Sequence, residues 1–271
     1  MKLAISNIAW QDTDEKEIFD IMRRLDIKGL EIAPTRLFPD PIKASYKKVQ
    51  GAKTKLQKAG IEVVAAQSLI YGHPELKLFT SAEVRQATLS YLEKIISLCA
   101  QLGAGVLVFG SPKNRQRAGM PFKKALDLAV EFFNQSGEIA QSKGTTLCIE
   151  ANPPEYQCDF IQTTHEALEL VKAVNHPGFR LHLDTSSMRL NAEDPEKVIA
   201  ESFEWVRHVH FSEPYLGLVG AEENPLQRQL AGKLKSLGYA DWVSVEMRAG
   251  LLESNPAAVE TALNYMKTLF D

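Results

Sequence analysis

The stretch AQSKGTTLCIE, residues 140–150, decides the fold. An amphipathic run closes at Gly144, and a short β-rich run then ends on the acidic Glu150. The same signature recurs as LQKAGIEVVAA (56–66), AQLGAGVLVFG (100–110) and KSLGYADWVSVE (235–246). Gly60, Gly103, Gly144 and Gly238 suit the left-handed position that closes a helix. The run after each glycine is too short for a helix and rich in Val, Ile and Leu, as parallel strands buried on both faces should be.

Working outward, eight strands are expected at Leu3–Ser6, Gly29–Ile32, Ile61–Ala66, Val106–Phe109, Thr146–Glu150, Phe179–Asp184, Val206–His210 and Trp242–Glu246. A helix follows each, around 14–25, 45–59, 82–102, 121–143, 164–174, 194–203, 224–237 and 256–270. Thr80-Ser-Ala-Glu83 and Thr163-Thr-His-Glu166 fit capping boxes, and Asn255-Pro256 fits an N-cap followed by Pro. Alternating β and α elements over 271 residues predict a single (β/α)₈ TIM barrel, a fold that typically needs roughly 250 residues. An open doubly wound sheet would usually carry a glycine-rich phosphate loop after its first strand, where this chain reads ISNIAWQDTDE. No linker or low-complexity tract divides residues 1–271, so one domain is expected. The segments after strands (33–44, 67–81, 110–120, 151–163, 211–223) are longer and more polar than those before them, and they form the face where such barrels place active sites.

The basic and acidic residues, 31 and 34 in number, are mixed along the chain and leave a net charge of −3. That balance provides no electrostatic footprint for nucleic acid. Cys99, Cys148 and Cys158 show no metal or disulfide spacing and read as reduced, with Cys99 and Cys148 buried in apolar runs. No stretch is apolar over the roughly 18 residues a membrane span needs. The N-terminal segment turns acidic too soon for a secretory leader, so a cytoplasmic enzyme is expected.

Four strand ends carry the chemistry. Glu150, Asp184, His210 and Glu246 close LCIE, LHLD, VHVH and VSVE, at intervals of 34, 26 and 36 residues. Adjacent parallel strands lie about 4.8 Å apart, so consecutive strand ends can share one ion. Any one of these residues alone is as readily a helix cap or loop anchor, but four on successive strands read together as a divalent-metal site. Three carboxylates and an imidazole favour Mn²⁺ or Mg²⁺ and allow Co²⁺ or Zn²⁺.

These residues carry a resemblance. LCIEANPP around Glu150, LHLDTSSM around Asp184, HVHFSEP around His210 and SVEM around Glu246 are similar to the xylose isomerase-like TIM-barrel superfamily, with fainter likeness in GLEIAPTR and VFGSPKNR. The likeness spans nearly the whole chain and lies with the sugar-phosphate isomerase/epimerase branch, which includes ketose 3-epimerases, hydroxypyruvate isomerase and, more distantly, endonuclease IV of the AP endonuclease family 2 type. It implies that Glu150, Asp184, His210 and Glu246 hold one metal, and that Glu150 and Glu246 also act as acid and base on opposite faces of a sugar or sugar phosphate, through an ene-diolate. It also implies a homo-oligomer. Two departures separate the chain from the best-known epimerases. Ser187 stands where they often carry a histidine, and Glu213 is followed by no arginine until Arg228.

Further substrate contacts are expected from Glu31, His73, Lys113, Arg115, Asn152, Ser187 and Glu213, with a plain surface position the alternative for His73 and a solvated loop the alternative for Lys113 and Arg115. Trp10 and Phe38 could cap an apolar sugar face or pack below the loops. His182 and His208, two residues before Asp184 and His210, are expected one layer deeper as satisfied core histidines. Competing functions are a metal-dependent lyase or dehydratase, a non-catalytic sugar-binding barrel, and an abasic-site DNA endonuclease. The last would need extra histidines near Gln67, Gly110 and Ser187, and the chain has only six in all.

Overall fold

The computed structural model describes residues 1–270; Asp271, included in the expected domain, lies outside them. Eight parallel strands close a barrel in chain order. They are β1 Lys2–Ser6, β2 Gly29–Ile32, β3 Glu62–Ala66, β4 Val106–Phe109, β5 Thr146–Glu150, β6 Phe179–Asp184, β7 Val206–Ser212 and β8 Trp242–Glu246. The last strand pairs with the first, Leu3 opposite Val243 and Ile5 opposite Val245. The predicted strands are all present, with β7 running two residues past His210 to Ser212.

The outer ring contains α1 Glu15–Arg24, α2 Pro34–Leu37, α3 Tyr46–Lys58, α4 Ala82–Leu102, α5 Phe122–Ser142, α6 Thr164–Val174, α7 Thr185–Leu190, α8 Pro195–Ser202, α9 Pro225–Ser236 and α10 Asn255–Phe270. The short α2 and α7 were not expected; α7 starts where the Asp184 carboxylate accepts the Ser187 N–H. Gly60, Gly103, Gly144 and Gly238 all have positive φ. Gly103 shows why: at φ 116° its N–H still reaches the Cys99 and Ala100 carbonyls and turns the chain into β4. The helix starts depart slightly from expectation. Ser81, not Thr80, caps α4, and Ser254 rather than Asn255 accepts the Ala257 N–H at the start of α10.

Strand alternation divides the barrel wall. Outward side chains such as Leu107, Phe109, Ile149, Leu183 and Val245 pack into the large core beneath the helices. A smaller cluster of Ala4, Val64, Ala65, Val106 and Cys148 is separate from it. Ser6, Glu31, His182, His208 and Ser244 are also fully buried. Interior layers of such barrels are usually filled by branched apolar residues, so these polar side chains need a reason to be there.

Candidate active site

Because strand side chains alternate in and out, inward residues near the C-terminal ends of the strands can face the mouth of the barrel. Glu150, Asp184 and Glu246 are the last residues of β5, β6 and β8, His210 lies two before the end of β7, and all four line one cavity of about 430 Å³. His210 lies between two carboxylates, its Nδ1 3.4 Å from Glu246 Oε2 and 4.0 Å from Asp184 Oδ2. Register sets Asp184 beside His210 and Ser212 beside Glu246.

Each carboxylate is held from behind. Asp184 accepts the Ser187 N–H at 2.7 Å and the Ser212 hydroxyl at 2.6 Å. Gln67 donates its amide N–H to Glu246 Oε1 at 2.7 Å. Asn152 donates to Glu150 Oε1 at 3.1 Å, while Arg115 donates to Asn152 Oδ1 and to the Glu150 carbonyl. Opposite Glu150 stands Gly110, where a Cβ would lie 2.4 Å from Glu150 Oε2. Glycine is what leaves room for the carboxylate.

The electrostatics follow from burial. Burial first, then Asp184 and Glu246, push Glu150 up to about 8. Burial and Glu246 likewise raise Asp184. Burial opposes a charge on His210, but Glu31 and Glu246 outweigh it and hold the imidazole well above its ordinary value. Burial also works against an ionised Glu31, yet His210 and His208 keep its carboxyl well below the usual range. Buried carboxylates that repel one another require a compensating positive charge. A divalent cation fits this oxygen-rich set, and His210 Nδ1, 3.4 Å from Glu246 Oε2, adds a nitrogen facing it. The closest groupings of ligand-type atoms, within 4.8 Å of one another, are His182–Asp184–His210 and Glu31–His208–His210; the four strand-end residues are spread more widely around the cavity floor.

Of the other expected contacts, Lys113 and Asn152 line the cavity. Five do not. Glu31 is fully buried beneath His210, bonded to it and to His208, because its position on β2 is inward but too deep to reach the mouth. His73 pairs with Glu75 and packs on Tyr91. Arg115 is fully buried behind Glu150 and Asn152, so it braces the site rather than anchoring an anion from a loop. Ser187 serves Asp184 through its backbone N–H, its side chain being buried by the turn into α7. Glu213 turns away to Arg189, Asn224 and Gln227. Trp10 and Phe38 are core residues.

His182 and His208 do lie deeper, fully buried beneath the cavity, where His208 Nε2 meets Glu31 and the His182 ring packs edge-on against His210. The sequence reading missed Gln67, Tyr156, Ser186 and Ser212 as site residues. Tyr156 hydroxyl lies 2.8 Å from Ser186 Oγ at the cavity wall. Ser212 could have been found by continuing the alternation two residues past His210, and Gln67 as the residue that directly follows VVAA. The three cysteines are free, as expected, and Cys158 is buried along with Cys99 and Cys148. Among the described residues, no helix is long and apolar enough to cross a membrane.

Residues 19–269 match the family model described as "Xylose isomerase-like TIM barrel". A probable ketose 3-epimerase of Synechocystis sp. is 25% identical over 256 residues, covering 91% of this chain and 84% of that protein. A ketose 3-epimerase of Arthrobacter globiformis is 27% identical over 181 residues, 64% of this chain and 59% of that one. Among solved structures, D-psicose 3-epimerase from Clostridium cellulolyticum H10 superposes with a TM-score of 0.80 at 17% identity, covering 100% of both chains. The 3-keto-D-glucoside 4-epimerase of E. coli superposes with a TM-score of 0.81 at 17% identity over 99% of both chains. At such identities these two structures speak for the fold.

Proposed function

Since this chain belongs to the xylose isomerase-like TIM barrel family, we propose that it is a divalent-metal-dependent isomerase or epimerase of a sugar or sugar derivative, acting as a single barrel domain. The observation that carries this reading is the pair of glutamates, Glu150 on β5 and Glu246 on β8, flanking Asp184 and His210 in one cavity. The activity named for its curated relatives supports the sugar. Glu150, Asp184, His210 and Glu246 would hold Mn²⁺ or Mg²⁺, with Co²⁺ or Zn²⁺ also compatible. When bound, the cation supplies Lewis-acid polarisation of the carbonyl and neighbouring hydroxyl oxygens.

The residues then divide the work. One glutamate removes the proton from the carbon beside the carbonyl, leaving the substrate as an ene-diolate, and the other returns a proton to the opposite face or the neighbouring carbon. Gln67 fixes the direction of Glu246, and Asn152 with Arg115 fixes that of Glu150. Tyr156, Ser186 and Lys113 at the cavity wall provide donors for substrate hydroxyls. The positions where a nuclease would need added histidines hold Gln67 bonded to Glu246, Gly110 against Glu150, and the buried Ser187. That arrangement disfavours the endonuclease reading.

The test is solvent exchange. Ketoses and ketose phosphates incubated with metal-loaded protein in D₂O are expected to take up deuterium beside the carbonyl as the isomer or epimer forms. Glu150→Gln and Glu246→Gln should each abolish uptake. Exchange that survives in both variants would refute the two-carboxylate mechanism.

A further inference from the structure

The sequence pointed to Glu31 as a substrate contact, but the residue does not line the cavity and is buried beneath His210. Its carboxylate lies 3.0 Å and 2.9 Å from His210 Nε2 through its two oxygens, and 3.3 Å from His208 Nε2. The approach of both carboxyl oxygens to one ring nitrogen is the geometry of an N–H shared between two acceptors, so His210 Nε2 is read as the donor. That assignment puts a proton on His210 Nε2 and leaves Nδ1 as the nitrogen turned toward Asp184 and Glu246.

The backbone is adjusted to bring this about. The β2–β3 ladder shifts register between Leu30 and Glu31, and the β6–β7 ladder shifts between Leu181 and His182. Irregularities of this kind re-aim side chains and are concentrated near active sites. Both fall on residues of the buried polar group under the cavity. A purely structural role would not need an ion here, because well-packed apolar residues commonly replace buried ion pairs without loss of stability.

We propose that Glu31 is a positioning residue for the metal site, holding His210 with its proton on Nε2 so that the Nδ1 lone pair faces the cation position. This inference rests on the reading of His210 as a metal ligand. A ligating histidine whose other nitrogen donates to a carboxylate is fixed in orientation and made more basic, and loss of such a partner typically weakens metal affinity about 10–100-fold. Glu31→Gln keeps the size of the side chain but removes the charge. Its amide can also turn its N–H₂ toward His210 Nε2, which drives the ring proton to Nδ1 and blocks the ligand nitrogen.

The experiment is calorimetric titration of metal-stripped wild-type protein and Glu31→Gln with Mn²⁺, with thermal melts of both. The expected result is a Kd raised about 10–100-fold in the variant. Equal affinities, within twofold, would overturn the proposal. Wild-type protein that binds no Mn²⁺ would instead overturn the underlying assignment of His210 as a ligand. Should Glu31→Gln fail to fold, wild-type protein loaded with diamagnetic Mg²⁺ decides the matter through long-range ¹H–¹⁵N correlations of His210. A protonated Nε2 with a bare Nδ1 supports the proposal, and the reverse tautomer refutes it.

Discussion

Gly110→Ala should remove activity while leaving the fold intact. Gly110 follows β4 directly, and no positive φ obstructs a side chain there. The new Cβ would stand 2.4 Å from Glu150 Oε2, against 3.4 Å from Cδ and 3.5 Å from Asn152 Oδ1. Only the carboxylate oxygen is truly overlapped, and ordinary contact returns when it moves by about 1 Å. Such a displacement of a proton-transferring group costs on the order of 100-fold in rate, or about 2.7 kcal/mol of transition-state stabilisation. The cost to stability is smaller, because the tip of a side chain can turn away for about 0.5–1.5 kcal/mol. At about 2–4 °C per kcal/mol, the melting temperature should drop by only a few degrees. The assay is kcat/KM for ketose conversion at saturating Mn²⁺, paired with a thermal melt. Gly105→Ala serves as the control, since its Cβ would meet nothing nearer than Val64 O at 3.8 Å. If Gly110→Ala kept more than a third of wild-type kcat/KM, the close approach would not control Glu150 and the reasoning would fail.

Other expectations concern the groups around the cation position. Metal-stripped protein should lose thermal stability as pH rises from about 5 to about 8. The folded state holds Glu150 at about 8 whereas an unfolded glutamate titrates near ~4.3, so the folded chain binds the extra proton across that window. The raised Asp184 and His210 act in the same sense, and the depressed Glu31 matters only as pH falls toward the ordinary carboxylate range. Melts in chelator at several pH values that stayed flat or rose would contradict this. Mn²⁺ at 100 times its Kd should add about 2.7 kcal/mol of stability, and a melting temperature indifferent to Mn²⁺ would count against the metal site. Ser212→Ala removes the hydroxyl 2.6 Å from Asp184 Oδ2 and should weaken Mn²⁺ binding about 10-fold by calorimetry. Glu213→Gln should keep kcat/KM within about threefold, since Glu213 faces Arg189 and Asn224 rather than the cavity; a larger loss would restore it as a substrate contact.

The strand period carried most of what could be read from the sequence. Glu150, Asp184, His210 and Glu246 each end an apolar run, so both their strands and their shared face followed from alternation. Alternation gives parity but not depth, because the height of a residue in a closed barrel depends on strand tilt and stagger. Glu31 has the inward parity of a cavity residue yet lies beneath His210, as its burial and its contacts with His208 and His210 reveal. Loop residues were harder still. Arg115 and Glu213 are charged residues on the catalytic face, but backbone turns sent one inward and the other sideways. Gln67 bears no charge to mark it, and its role emerges only when Glu246, 179 positions away, is set beside it.

The pairing of β8 with β1 has a bearing on how the chain matures. Glu246 sits on the strand that closes the cylinder, joined edge to edge with residues about 240 positions earlier. Contacts so distant in sequence form late, since loop closure must precede them. The first four strands deliver Glu31, Gln67 and Gly110 but no residue of the strand-end quartet. A ribosome-bound chain carrying only those strands has a wall without a cage. On the proposed reading of the quartet as metal ligands, ring closure and completion of the cation cage would be one event, and metal binding would report finished folding.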